Sequence, residues 1–163
     1  MSDAAERRDR DAAGRPRSAR PRDELGRPLP RGVTGAPGVP ELVLPPEESL
    51  EEAQRLLDTG RAFHAHEVLE GTWKAAVAKE RELWRGLAQI AVGLTHAQRG
   101  NQVGAVRLLR RAADRVEGYA AEPPYGINAA GLVEWTRALA ARIERHGLAG
   151  ISAADLVPQL LRN

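Results

Sequence analysis

At 163 residues the chain has room for one domain around a single core, and the absence of cysteine removes disulfides, thiolate catalysis and cysteine-ligated zinc together. Aromatic residues amount to only 4%, alanine and leucine abound and β-branched runs are missing, so helix is favoured over sheet. An isoelectric point near 9.5 invites a nucleic-acid reading, but residues 1–46 hold nine Arg against seven Asp and Glu, whereas residues 47–163 hold fifteen basic and fifteen acidic side chains. Phosphate binding relies on a net-basic surface. Nucleic acid is therefore not expected as a partner except, weakly, through the Arg-rich N-terminal stretch or one local stripe. No segment approaches the roughly 18 unbroken apolar residues of a membrane span, and Met1 to Arg8 lack the apolar stretch of a signal peptide. A cytoplasmic location away from membranes is the expectation.

Residues 1–46 hold eight of the eleven prolines together with Gly, Arg and Asp, a composition that predicts an extended or disordered tail. Within it the run Arg10 to Pro16 returns as Arg22 to Pro28. This is low-complexity drift or a pair of arginine hooks for an acidic surface. From residue 47 a single all-α domain is expected, built as a bundle of about five helices from antiparallel hairpins. The first helix opens where Pro45-Pro46 allow proline at its first turn and ends at Asp58-Thr59-Gly60. The second runs from about Arg61 to Ala78, the third from about Glu80 to Arg99, and Gly100-Asn101 forms a stop. The fourth spans about Gln102 to Ala120. A break at Glu122 to Gly126 precedes a fifth helix with Asn128 as N-cap, closing at His146-Gly147. Ser152 and Asp155 resemble a capping box that opens one more short turn before Pro158. Gly60, Ala65 and Leu69 are matched forty residues later by Gly100, Ala105 and Leu109, a similarity that a helical repeat or two hairpins of one bundle would produce.

The second helix carries the most informative pattern. Phe63, His66, Glu70, Trp73 and Val77 fall on one stripe, and its burial would oblige the imidazole and the carboxylate to find partners. His64, two residues from His66, is expected to point elsewhere. His66-Glu67-x-x-Glu70 departs from the zinc-peptidase pattern, which needs a second histidine where Glu70 stands. On the third helix Gln89 and His96 share a side with Gly86 and Gly93, small residues that admit a close neighbour. Should that neighbour be the second helix, His66, Glu70, Gln89 and His96 converge. Such a pocket, with Glu67 at its rim, would hold a divalent metal or a small ligand through His66, Glu70 and His96; the alternative is a hydrogen-bond network that fixes helix register. Phe63, Trp73, Trp84 and Trp135 are expected to pack in the core. Arg107, Arg111 and Arg115 form a basic stripe that can seat an anion, although intrahelical pairs such as Arg110 with Asp114 explain such charges as well.

Three motifs follow one another: Gly60-x-x-Phe63-x-x-His66-Glu67-Val68-Leu69-Glu70-x-x-Trp73, then Trp84-x-Gly86-Leu87-x-Gln89-x-Ala91-x-Gly93-x-x-His96, then Arg99-Gly100-Asn101 before Ala105-Val106-x-Leu108-Leu109. In these motifs the chain resembles the bacterial and archaeal domain-of-unknown-function family numbered 309, over about residues 47–145. The resemblance implies a small all-α fold, places His66, Glu67, Glu70, Gln89 and His96 on motif positions and leaves the activity open. With no phosphate loop, nucleophile elbow or Ser/His/Asp arrangement in the chain, the expectation is a non-enzymatic interaction or scaffold domain. Its partner would be another protein or a further copy of itself. No cofactor is required by the sequence, a divalent metal being the alternative.

Overall fold

A computed structural model describes residues 43–163. The tail expected over residues 1–46 lies outside them except for Val43–Pro46, as do the Arg10–Pro16 and Arg22–Pro28 echo and its arginine hooks. Five helices follow in chain order: α1 Pro46–Asp58, α2 Ala62–Ala75, α3 Arg81–Gln98, α4 Gln102–Glu117 and α5 Ala129–His146. Short 3-10 turns stand at Ala78–Glu80, Pro124–Gly126 and Ala154–Leu156. Each helix packs against its neighbour in the chain, with α3 between α2 and α4. Connections of three to five residues turn the first three pairs into antiparallel hairpins, while a longer segment with a 3-10 turn at Pro124–Gly126 joins α4 to α5. The only β-type pairing among the described residues is an isolated bridge between Ile127 and Leu161.

The local signals act as written. Proline at the first position of α1 lacks only an amide that no helical carbonyl would have met. Gly60 and Gly100 take positive φ values of 76° and 80°. After each, an amide reaches back five residues, Arg61 N to Leu56 O at 2.8 Å and Asn101 N to His96 O at 2.8 Å. Both are Schellman closures, in which glycine supplies the left-handed residue without steric cost. The similarity at a spacing of forty is thus one helix-to-helix corner used twice. Asn101 also caps α4 by accepting from the Gly104 amide at 3.0 Å. Ser152 and Asp155 form the reciprocal capping box, with Ser152 N to Asp155 Oδ2 at 2.8 Å and Asp155 N to Ser152 Oγ at 3.3 Å. Asn128 stands at the N-cap of α5 without a side-chain cap bond, its backbone amide donating instead to Leu160 O at 2.8 Å.

Gly86 and Gly93 mark the tightest helix contact. A Cβ built on Gly93 would lie 2.9 Å from Leu109 Cγ, and one on Gly86 would lie 2.8 Å from Val116 Cγ2. The close neighbour is therefore α4 and not α2. Where α1 meets α2 the polar rivet is Thr72 Oγ1 donating to Ser49 Oγ at 2.6 Å, both residues buried. The C-terminal segment straps the first and last helices together. Gln54 uses its amide as a backbone unit would, donating to Pro158 O at 2.9 Å and accepting from Leu160 N at 2.8 Å. Leu160 is buried beneath that clasp, so hydrogen bonding and apolar burial hold the same segment.

Candidate functional site

The inward face of α2 differs from the one expected. Ala62, Ala65, Val68, Leu69 and Thr72 are buried, because the small residues among them let α1 and α3 approach. Val77 is 57% exposed, and Phe63, His66, Glu70 and Trp73 lie half-buried along the margin. His64, expected to point away, is 3% exposed and lies on the inner side with Val68. Of the aromatic residues assigned to the core, Trp84 is fully buried, Trp73 and Trp135 pack against the core edge, and Phe63 is half-buried.

Along that margin His66 and Glu70 do pair, with Nε2 3.4 Å from Oε2, while Lys74 Nζ approaches the other carboxylate oxygen at 3.3 Å. One carboxylate thus faces an imidazole one turn before it and an ammonium one turn after it. With Glu70 one-third exposed, solvent weakens both attractions. Arginines from α3 and its C-cap cover the two aromatic rings. Arg85 lies 5.5 Å from the Trp73 ring centre and Arg99 lies 5.7 Å from that of Phe63, within range for cation–π attraction. Phe63 also contacts the His66 ring, centroid to centroid at 5.8 Å. Glu67 is half-buried on the same helix. Nothing local in the sequence announces the arginine stacks, since each ring and its cation belong to different elements.

Gln89 and His96 face α4. Gln89 Oε1 accepts from Arg115 Nε at 2.9 Å, and His96 Nδ1 lies 2.9 Å from Asn101 Nδ2. The Asn101 oxygen already caps Gly104, so its NH2 end must be the donor and His96 the acceptor. Burial, then Arg99 and Arg107, hold the His96 imidazolium below its ordinary range, in keeping with that neutral, accepting ring. The expected convergence of His66, Glu70, Gln89 and His96 is thus replaced by separate pairings. Among the described residues no three His, Asp or Glu side chains are gathered as a metal would require.

The basic stripe is divided as well. Arg115 turns to Gln89 and Glu82, while Arg107 and Arg111 border a groove with Val103, Val106 and Arg110. Arg110 pairs not with Asp114 but with Glu144 of α5 at 2.6 Å, and Asp114 is taken by Arg137 at 3.0 Å. The charges join two helices instead of lacing one.

The segment that carries these features runs from α1 into α4. Residues 50–108 match the family model for DUF309, a domain of unknown function. The resemblance read from the three motifs thus has an independent match, and the matched segment includes α2, α3 and the margin between them. Over 48 residues the chain is 46% identical to the uncharacterised protein YpuF of Bacillus subtilis (strain 168), a stretch that is 29% of this chain and 28% of that relative. No solved structure matches. Among the described residues no helix is long and apolar enough to cross a membrane.

Proposed function

We propose that this protein is a non-enzymatic interaction module that presents the α2–α3 margin to a protein partner. The observation that carries the reading is Trp73, left half-buried at the core edge and stacked beneath Arg85, with Glu70 and Lys74 beside it. Tryptophan and arginine dominate the energetics of protein interfaces, because a large ring and a planar cation bury much area at little conformational cost. A fold needing only stability would place that ring inside, as it does Trp84. Charged rims around such an anchor give register and partner choice.

The test places a photo-crosslinking amino acid at Lys74, beside the patch, and in a second protein at Glu134, which is exposed on α5. Expected is a discrete adduct from position 74, absent from position 134, and lost in Arg85→Ala and Trp73→Ala variants whose melting shows them folded. Equal labelling from the two positions, or adducts indifferent to both variants, would overturn the proposal.

A further inference from the structure

A second feature lies where α2 ends and the chain turns toward α3. Val43–Pro46, Thr72, Ala75–Val77, Glu80, Trp84 and Tyr125 line an open pocket of about 400 Å³, within the range of small-molecule sites. Three of the four exposed large apolar side chains among the described residues, Val43, Val77 and Tyr125, border it. Its one carboxylate is held by two aromatic donors. Trp84 Nε1 donates to Glu80 Oε1 at 3.3 Å, and the Tyr125 hydroxyl lies 3.0 and 3.1 Å from the two carboxylate oxygens. No cation lies within ion-pairing distance of Glu80 among the described residues. The adjacent Arg81 turns its guanidinium to Ala76 O at 3.5 Å.

We propose that this pocket binds an alkylated ammonium group, with Glu80 as counter-charge and the Tyr125 ring as its cation–π wall. A bare ammonium brings three strongly hydrated donors and needs acceptors for each, whereas the Glu80 oxygens already accept from Trp84 and Tyr125 and the remaining lining is largely apolar. A methylated ammonium has little to lose on leaving water and gains from an aromatic face and a fixed negative charge. Trp84, itself out of solvent, closes the floor, while Tyr125 is 36% exposed. Tyr125 also occupies φ 56°, ψ 22°, a left-handed conformation that costs a non-glycine residue energy. That conformation delivers its hydroxyl to Glu80. The negative field is felt by the phenol itself, whose ionisation is pushed up by burial, then by Glu80 and Glu47.

The experiment follows the Trp84 indole N–H resonance, assigned through Trp73→Phe and Trp135→Phe, during titration of the full chain with choline. Parallel titrations use its neutral isostere 3,3-dimethylbutan-1-ol, n-butylammonium, and a peptide bearing trimethyllysine. Expected is a saturable shift with choline or the peptide, with the tighter of the two assigning the group to a free molecule or to a protein. Binding of the neutral alcohol and of the bare amine should be weaker by about tenfold or more. Glu80→Gln should weaken choline binding to a similar degree. Tyr125→Gly should do the same while leaving the fold intact, because glycine takes the positive φ without strain. The absence of saturation by both ammonium probes, or equal binding of the neutral isostere, would overturn the assignment. Retained affinity in both variants would also overturn it.

Discussion

A single methyl group added at Gly93 should destabilise the protein, and the same methyl added at Gly71 should stabilise it. Both glycines are inside helices, where alanine is favoured by about 1 kcal/mol on intrinsic propensity. At Gly71 nothing lies within 4 Å of the added carbon, so the propensity gain stands alone. At Gly93 the new Cβ would meet Leu109 Cγ and Cδ2 at 2.9 Å and the Leu109 backbone nitrogen at 3.3 Å. Carbon contacts are comfortable at about 3.5–4.0 Å, and Leu109 is fully buried in the packed core. Relief therefore requires α4 to shift, a strain of about 1–3 kcal/mol in a packed core. After the propensity gain is subtracted, Gly93→Ala should lose up to about 2 kcal/mol and Gly71→Ala should gain up to about 1 kcal/mol. For a domain of this size that corresponds to about 3–5 °C of melting temperature per kcal/mol. Chemical denaturation of both variants measures the difference, and a cycle with Leu109→Ala isolates the clash, because removing that side chain should absorb most of the Gly93→Ala penalty. A Gly93→Ala protein stabilised as much as the Gly71→Ala one would show that α3 and α4 do not meet at this residue.

Other outcomes follow from single contacts. Thr136 is fully buried on α5 and its hydroxyl has no hydrogen-bond partner among the described residues; Thr136→Val should raise stability by about 1 kcal/mol, as read by denaturant midpoint, whereas a loss would reveal a partner for the hydroxyl. His96 titrates below its ordinary range in the folded protein, so the unfolded chain binds the extra proton and stability must fall as pH drops below the unfolded value of about 6.5. Replacing it as His96→Gln should flatten the stability profile just below about pH 6.5, and an unaltered slope would contradict the neutral, Asn101-bonded imidazole. Gln54→Ala removes both bonds to the C-terminal strap and should cost about 1–3 kcal/mol. Hydrogen exchange at the Leu160 amide should then accelerate relative to core amides of α3; unchanged protection there would refute the clasp.

The α2–α3 margin shows how function and stability can part company on one helix. The inner side of α2 is small, apart from Leu69, Val68 and the buried imidazole of His64. Its bulky and charged residues are held at the rim, where Arg85 and Arg99 arrive from α3 and its C-cap. The groove beside Arg107 and Arg111 differs from it. Those two cations remain outside the ion pairs that engage Arg110, Arg115 and Arg137, but the groove also contains Asp114 and Glu144, which offset their charge for an incoming anion.

How much could be read before any fold was known follows the range of the forces involved. The five helices, the proline start of α1, the corners at Gly60 and Gly100 and the Ser152/Asp155 box are legible because capping, propensity and left-handed glycine act within a few residues. The His66–Glu70 pair was legible for the same reason, one turn being a local distance. Its burial was not. A stripe containing Phe63 and Trp73 outweighs one of alanines on any hydrophobic scale, yet the alanine side faces inward because helices pack by how closely their backbones can approach. The same packing turned Gly86, Gln89 and Gly93 toward α4, paired Arg110 with Glu144 across two helices, and brought Tyr125 to Glu80 from 45 residues away. Contacts between distant parts of the chain depend on which surfaces fit one another, and that selection is made only when the whole core closes.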